Sequence, residues 1–497
     1  MKLSSYDVIV VGAGNAALCA AMSAQENGAK VLVLERAPKE QRGGNSAFTS
    51  GNFRFVHNGL EDVKKFVPDL TQQEIESSDF GQYTADQFFD DLGRTTEYRS
   101  DPDLAEILIR RSTDTVNWIR QKGLRFVPLY GVQAHKHEGK FKFWGGLVVT
   151  PVGGGMGLIN HEYKAAEKQG IDIRYNTRVT SLICGADGVE GVRVTVKRVE
   201  EEIRAHAVVL ACGGFEANRE WRTRYLGPGW DLAKVRGTRY NTGDGIRMAL
   251  DIGAMPYGNW SGAHACDWDL HAPDFGCLVN GPVNHGKHSY PLSIMINNNG
   301  LRFVDEAADI RNFTYAKYGR VILAQPGQCC WQIFDGKVLD KLRETYRIKQ
   351  VTKVTGNTIE ELVSKLEGVD KVQALKTIKE FNASIKKDVP YDPNVLDGRG
   401  TAGLTIPKSN WALAMDTPPF EAYGVTCGIT FTFGGVKITT KAEVVDTEEE
   451  PIPGLYAAGE MVGGIFYFNY PGGSGLMNGA VFGRLAGESA ARYAVKG

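Results

Sequence analysis

A chain of 497 residues, 42% apolar and 23% charged, is long enough to bury a large core and to fold as two or three domains. Its formal net charge of -1, with no basic block, excludes nucleic acid or an anionic membrane surface as the expected partner. Eight cysteines with no CxxC pair exclude a disulfide scaffold and point to a reducing, cytoplasmic setting, and no apolar run is long enough to span a membrane.

The segment Tyr6 to Arg36 reads as a βαβ unit: a β-branched run at Val8–Val11, a glycine turn, an alanine-rich helix ended by Gly28, and a second apolar strand at Val31–Leu34. Gly12, Gly14 and Ala17 give the spacing GxGxxA, in which the first glycine makes the turn, the second lets backbone approach a pyrophosphate, and the small third residue packs helix on strand. Asn15 and Ala16 open that helix, whose N-terminus faces the phosphates. Glu35, followed by Arg36, ends the second strand where an acid accepts hydrogen bonds from ribose hydroxyls. These features predict an ADP-containing cofactor and do not choose between NAD and FAD.

Next comes RGGNSAFTSGN, with Arg42, Gly44, Asn45, Ser46, Thr49, Ser50 and Gly51. Its glycines and small hydroxyls suit either a plain loop or backbone laid against a flat ring system. Ser100 to Gly123 reads as helix, with Asp101 as cap, Pro102 in the first turn and Gly123 as stop. A hairpin-like stretch that includes Val179 precedes the strand and loop AHAVVLACGGFEAN, with Ala211, Cys212 and Gly213. NTGDG follows, with Asn241, Thr242, Gly243 and Asp244, and far downstream PIPGLYAAGEMVGG brings Gly459 and Glu460 just past a strand end. The last signal is FNYPGGSGL, where Tyr470 runs into glycines ahead of Gly475 and Leu476. A ligand touching both ends of the chain suits a cofactor as long as FAD.

Taken together, VGAGNAA, RGGNS, NTGDG, GLYAAGE and FGRLAGESAA resemble the fumarate reductase and succinate dehydrogenase flavoprotein superfamily. NAALCAA, RGTRYNTG, GITFTFGG and the tyrosine-glycine loop most resemble its FAD-dependent tricarballylate dehydrogenases. The resemblance implies an α/β fold: a Rossmann-type FAD-binding domain split in sequence, with an inserted α+β capping domain. The expected division is 1–254 for the first part of the FAD domain, with a helical insert at about 80–125, then 255–419 for the cap and 420–497 for the return to the FAD domain. Within the cap, Asn357 to Gly368 reads as a helix with a Thr358 to Glu361 capping box, and Pro418-Pro419 marks the hinge back.

Fumarate reductases hold a dicarboxylate over the flavin with histidines and arginines, because guanidinium forks bind carboxylates through paired hydrogen bonds and stabilise an enolate-like transition state. By resemblance His264 is the carboxylate anchor, the stretch Asn297 to Phe313 offers Arg302 and Arg311, with Arg311 matching the family's proton donor, and either Tyr470 or Arg311 is expected as the acid or base. Where the family carries a histidine pair this chain has Thr430 and Phe431, and where it carries an arginine before a double glycine this chain has Tyr470. Arg236 and Arg239 in RGTRYNTG are the expected replacement clamps.

The expected enzyme is an FAD-dependent dehydrogenase or reductase of a CH–CH bond next to a carboxylate or ketone. The alternatives are a 3-ketosteroid dehydrogenase-like enzyme, an ene-reductase like fumarate reductase, and a flavin-binding scaffold that has lost catalysis. RGGNSAFT lacks the histidine that succinate dehydrogenases link to flavin, so FAD is expected to be non-covalent. With no haem-attachment CxxCH and no iron–sulfur cysteine run, electrons are expected to pass to a separate donor or acceptor, and no metal is expected.

Overall fold

The run Val8–Val11 is a fully buried strand, paired in parallel with Val31–Leu34 on one side and Ala207–Leu210 on the other. In the computed structural model, which describes residues 6–279 and 282–496, these strands form the centre of a six-stranded sheet. Asp172–Arg174 lies beyond Val31–Leu34, while Pro451–Ala457 and then Glu443–Val445 lie beyond Ala207–Leu210. Only the outermost pairing, Glu443–Val445 with Pro451–Ala457, is antiparallel. Strands buried on both faces explain the unbroken apolar runs. The sheet thus joins the first forty residues to the last sixty, and the first helix, Asn15–Glu26, packs directly on the last, Ser474–Lys496. That packing depends on Gly483 and Gly487, where a Cβ would stand 2.3 Å and 2.1 Å from the carbonyl oxygens of Ala16 and Ala20.

The second sheet is built on the 17-residue strand Phe420–Val436, which pairs with Pro256–Asp269, Cys329–Phe334, Lys353–Gly356 and, in parallel, Lys234–Val235. Ile294–Asn297 extends it beyond Cys329–Phe334. The helices Ile359–Ser364 and Lys371–Ser384 cover one part of it with a separate apolar core that includes Leu362, Phe381, Trp331 and Phe420. Thr358 caps the first of these by accepting the Glu361 N–H, while the Glu361 carboxylate takes the N–H of Asn357 rather than that of Thr358.

The helix expected over Ser100 to Gly123 is two helices, Pro102–Arg110 and Ser112–Gln121, broken at Arg111. Asp101 does cap the first through the N–H groups of Asp103 and Leu104. The break follows the Ser112 hydroxyl, which bonds back to the Ile109 carbonyl and accepts the Val56 N–H, competing with the helical ladder. All eight cysteines are free, and no helix among the described residues is long and apolar enough to cross a membrane.

Candidate active site

A cavity of about 430 Å³ runs from the C-terminal ends of the parallel strands to the inner face of the second sheet. At the sheet end, Gly12 has φ of +104°, and a Cβ there would stand 2.5 Å from the Ala211 carbonyl oxygen, so only glycine makes this turn. Helix Asn15–Glu26 follows Gly14 with no side-chain cap, and Gly12, Gly14, Asn15 and Ala16 line the cavity. Ala17 faces the core instead. Glu35 is 6% exposed and accepts the Ala37 N–H at 2.6 Å, and burial pushes its carboxyl up to about 7. An uncapped helix N-terminus beside a buried strand-end carboxylate fits the pyrophosphate and ribose of an ADP group. Arg36 closes the rim by donating to the Tyr240 carbonyl and to Thr242, and by pairing with Asp244, which also binds Arg178.

Further along, Gly44, Asn45, Ser46, Thr49 and Ser50 line the cavity, facing Asn241 and Gly213. Asn45 is the joint of this region: its amide donates to Glu216 at 2.6 Å and to the Thr430 carbonyl at 2.7 Å, while its oxygen accepts the Thr238 N–H. Glu460 accepts from the Thr432 N–H and hydroxyl, and burial, reinforced by Glu460, holds the Glu216 carboxyl well above its usual range. Val179, Ala211, Cys212, Gly459, Gly475 and Leu476 also reach the cavity. Besides Ala17, four residues of the expected cofactor set do not. Arg42 stacks on Tyr163 at 4.1 Å, Gly51 packs against the Gly154 backbone, Thr242 is taken by Arg36, and Gly243 starts the helix Asp244–Leu250 with φ of +79°.

The far end is organised by a β-bulge. His264 pairs with Phe431 and Ala265 with Ile429, so Thr430 is the extra residue that bends the long strand. The Thr430 hydroxyl donates to the Arg236 carbonyl and the Arg236 N–H donates to the Ile429 carbonyl, so one irregularity positions both Arg236 and His264. His264 is 2% exposed, and neither ring nitrogen has a partner among the described residues. Its ring lies 4.9 Å from that of Tyr315 and 5.0 Å from that of Tyr470, whose hydroxyls meet at 2.8 Å. Burial, then the Arg236 charge, holds the His264 imidazole well below its ordinary value, so it is neutral. Burial, then Tyr315, raises the Tyr470 phenol well above the usual range.

Arg311 sits in a turn ahead of helix Tyr315–Leu323, with its guanidinium 5.3 Å from the Tyr315 ring and bonded to Asn312. Arg54, buried beneath, holds the tyrosine-glycine loop by donating to the Gly472 carbonyl. Two expected substrate cations are absent from the cavity. The Arg302 guanidinium is 5% exposed and consumed by Glu306 at 2.6 Å, and by the carbonyls of Ile406 and Pro407. Arg239 is exposed, over the Phe275 ring. In their place the cavity holds Tyr315, His288 and Arg343, which sequence reasoning missed. Tyr315, four residues past Arg311 on a helix, left a faint signal, whereas His288 and Arg343 lie in irregular segments with no periodicity.

The FAD binding domain family model matches residues 7–476. The probable fumarate reductase Ifc3 of Shewanella frigidimarina (strain NCIMB 400) is 31% identical over 98% of this chain and 75% of its own. The open conformation of a flavocytochrome c3 fumarate reductase superposes with a TM-score of 0.74 at 29% identity, covering 99% of this chain and 78% of that one. In fold the chain is also similar to 3-ketosteroid delta1-dehydrogenase from Sterolibacterium denitrificans, with a TM-score of 0.75 at 22% identity over 98% and 99% of the two chains. The protein belongs to the fumarate reductase and succinate dehydrogenase flavoprotein superfamily and is an FAD-dependent oxidoreductase.

Proposed function

We propose that the enzyme transfers two hydrogens across a CH–CH bond next to a carboxylate, on a polycarboxylate of the tricarballylate type. One observation carries the reading: Arg236 and Arg311, neither in an ion pair among the described residues, share a cavity with a buried His264 whose ring nitrogens have no partner. Buried charges without a counter-ion and a buried imidazole without a hydrogen bond are costly, and a carboxylate supplies both.

Bound FAD supplies hydride chemistry at this cavity, held by Gly12, Gly14, Glu35, Asn45, Ser46 and Glu460. The chain's own groups divide the rest. Arg236 and neutral His264 clamp a carboxylate. Burial, and then Arg236 among its neighbours, lowers the Arg311 guanidinium, so Arg311 is the group suited to move a proton at its nitrogen. Tyr470, which keeps its proton, donates to the oxygen where enolate charge develops, and the Tyr315 hydroxyl fixes its direction.

Non-covalent FAD is supported by the absence of histidine between Arg42 and Asn52, and acid precipitation that releases free FAD tests it. A separate electron donor or acceptor completes the cycle. A second reading rests on the Tyr315–Tyr470 hydroxyl pair, which could instead polarise a ketone oxygen, as in a 3-ketosteroid dehydrogenase. The test is anaerobic mixing of oxidised holoenzyme with tricarballylate, succinate or a saturated 3-ketosteroid. Bleaching by the acid that is lost in Arg236→Gln and Arg311→Gln supports the first reading, and bleaching by the steroid alone transfers the weight to the second. No turnover with any of them, nor reoxidation of the reduced protein by an unsaturated acid or enone, leaves the scaffold.

A further inference from the structure

Arg311 is held at both ends. Its carbonyl closes a turn by accepting the Thr314 N–H at 3.1 Å, and the Thr314 hydroxyl meets that of the buried Tyr290 at 2.6 Å. Its guanidinium donates to the Asn312 side-chain oxygen at 2.8 Å, and the Asn312 amide in turn donates to the Gln133 side-chain oxygen at 3.0 Å. Asn312 and Gln133 are both buried and both line the cavity. Chemistry fixes the order of this chain. A guanidinium only donates, so the amide oxygen of Asn312 must face Arg311 and its nitrogen must face away, toward an acceptor; Gln133 is that acceptor.

Gln133 is separated from Asn312 by 179 positions in the chain. It ends the short helix Tyr130–Gln133, ahead of the hairpin of Ala134–His137 with Lys140–Phe143. That helix is pinned by the Leu129 N–H on the Val148 carbonyl at 2.9 Å, and by the Tyr130 hydroxyl against that of Ser78 at 2.8 Å. The Asn312 backbone adds a further tie. Its carbonyl accepts the Gly472 N–H at 3.3 Å, in the loop that carries Tyr470, while Arg54 donates to the Gly472 carbonyl at 2.8 Å and to the Gly145 carbonyl at 2.7 Å. One asparagine thus joins the turn of Arg311, the loop of Tyr470 and the segment of Gln133 in one frame. A free arginine side chain carries about 2 kcal/mol of rotamer entropy, and a misplacement of about 1 Å can slow a reaction about 10²-fold, so a prebuilt hold on the guanidinium bears on rate.

Resting on the reading of Arg311 as the group that moves a proton, we propose that Gln133 and Asn312 are positioning residues: Gln133 orients the Asn312 amide, and Asn312 aims the Arg311 guanidinium. Both act through Arg311, and no bond is made or broken at either side chain. Loss of either therefore lowers the rate of the chemical step more than it lowers substrate affinity.

The test mixes oxidised holoenzyme anaerobically with increasing tricarballylate, or reduced holoenzyme with its unsaturated counterpart, and follows flavin absorbance, which gives the limiting rate and the dissociation constant separately. Asn312→Leu should slow the limiting rate about 10- to 100-fold, the size of a hydrogen bond to a charged group, with a much smaller change in the dissociation constant. Gln133→Met, which keeps the length of the side chain and removes the acceptor, should slow it about 2- to 10-fold, the size of a neutral hydrogen bond. Gln133→Glu keeps an acceptor oxygen and should run closer to the wild type. An unchanged thermal midpoint separates these effects from unfolding. Limiting rates that are equal in Gln133→Met and Gln133→Glu, or an effect confined to the dissociation constant, overturn the inference alone. A wild-type flavin that exchanges electrons with neither acid overturns the site reading and the inference with it.

Discussion

The Tyr315 hydroxyl lies 2.8 Å from that of Tyr470, and His264 packs edge-on against the first ring and tilted against the second. The helix Tyr315–Leu323 packs on the strands Pro256–Asp269 and Phe420–Val436 of the second sheet and Tyr470 lies in the loop before the last helix, so this contact joins the two halves of the site. It also fixes which way the Tyr470 hydroxyl points.

Tyr470→Phe should keep the ring packing on Phe431 and Phe466 while removing the hydrogen bond to developing charge. We expect flavin reduction or reoxidation by substrate to slow about 10²- to 10³-fold, with the substrate dissociation constant changed far less. Tyr315→Phe should cost less, since Tyr315 acts through Tyr470. Anaerobic stopped-flow traces of the two variants check the order.

Stability should depend on pH through His264 and His288. Burial holds both imidazoles well below the ordinary value in the folded protein, whereas in the unfolded chain they protonate near about 6.5. The unfolded state therefore binds more protons as pH falls, and the stabilisation present above that value is lost below it at about 1.4 kcal/mol per pH unit for each histidine. Urea midpoints between pH 8 and pH 5 measure the slope, and His264→Gln should make it shallower.

Arg302 and Arg311 should separate stability from catalysis. Arg302→Met leaves Glu306 buried without its ion-pair partner and is expected to destabilise by about 3–5 kcal/mol while leaving substrate affinity in the folded fraction intact. Arg311→Gln should do the reverse: a near-normal melting temperature and a loss of turnover. Calorimetry and steady-state kinetics on both proteins decide it.

Glu35→Ala should weaken FAD retention about 10- to 100-fold, the scale of hydrogen bonds to a charged acceptor, without unfolding the sheet. The flavin-to-protein absorbance ratio after gel filtration reads this directly.

The strand-end half of the cavity was legible because a tight turn needs backbone shape, and backbone shape writes itself as glycines at fixed spacing: Gly12 and Gly14 line the cavity at the turn that the spacing predicts. Tyr470 was legible for a related reason, a lone aromatic hydroxyl among glycines. The far wall was not legible. The segments carrying His288 and Arg343 are tied together through Ser289, Thr345 and the buried Lys287, contacts between distant irregular segments that leave no period in the sequence. Arg302 misled because a guanidinium in the right stretch looks the same whether it awaits a carboxylate substrate or already has Glu306 four residues on. The break at Arg111 was hidden likewise, since the Ser112 hydroxyl that competes with the helix has no signature beyond its residue type.

The most direct test of the account is an anaerobic single turnover of oxidised holoenzyme with tricarballylate, with flavin absorbance and product mass followed together. The account predicts loss of the oxidised flavin band with formation of one equivalent of the unsaturated tricarboxylate, or, in the reverse direction, reoxidation of reduced flavin by that product, each abolished in Arg311→Gln. An Arg311→Gln enzyme that turns over as the wild type does, or a flavin that exchanges electrons with a 3-ketosteroid and with no carboxylic acid, would contradict it.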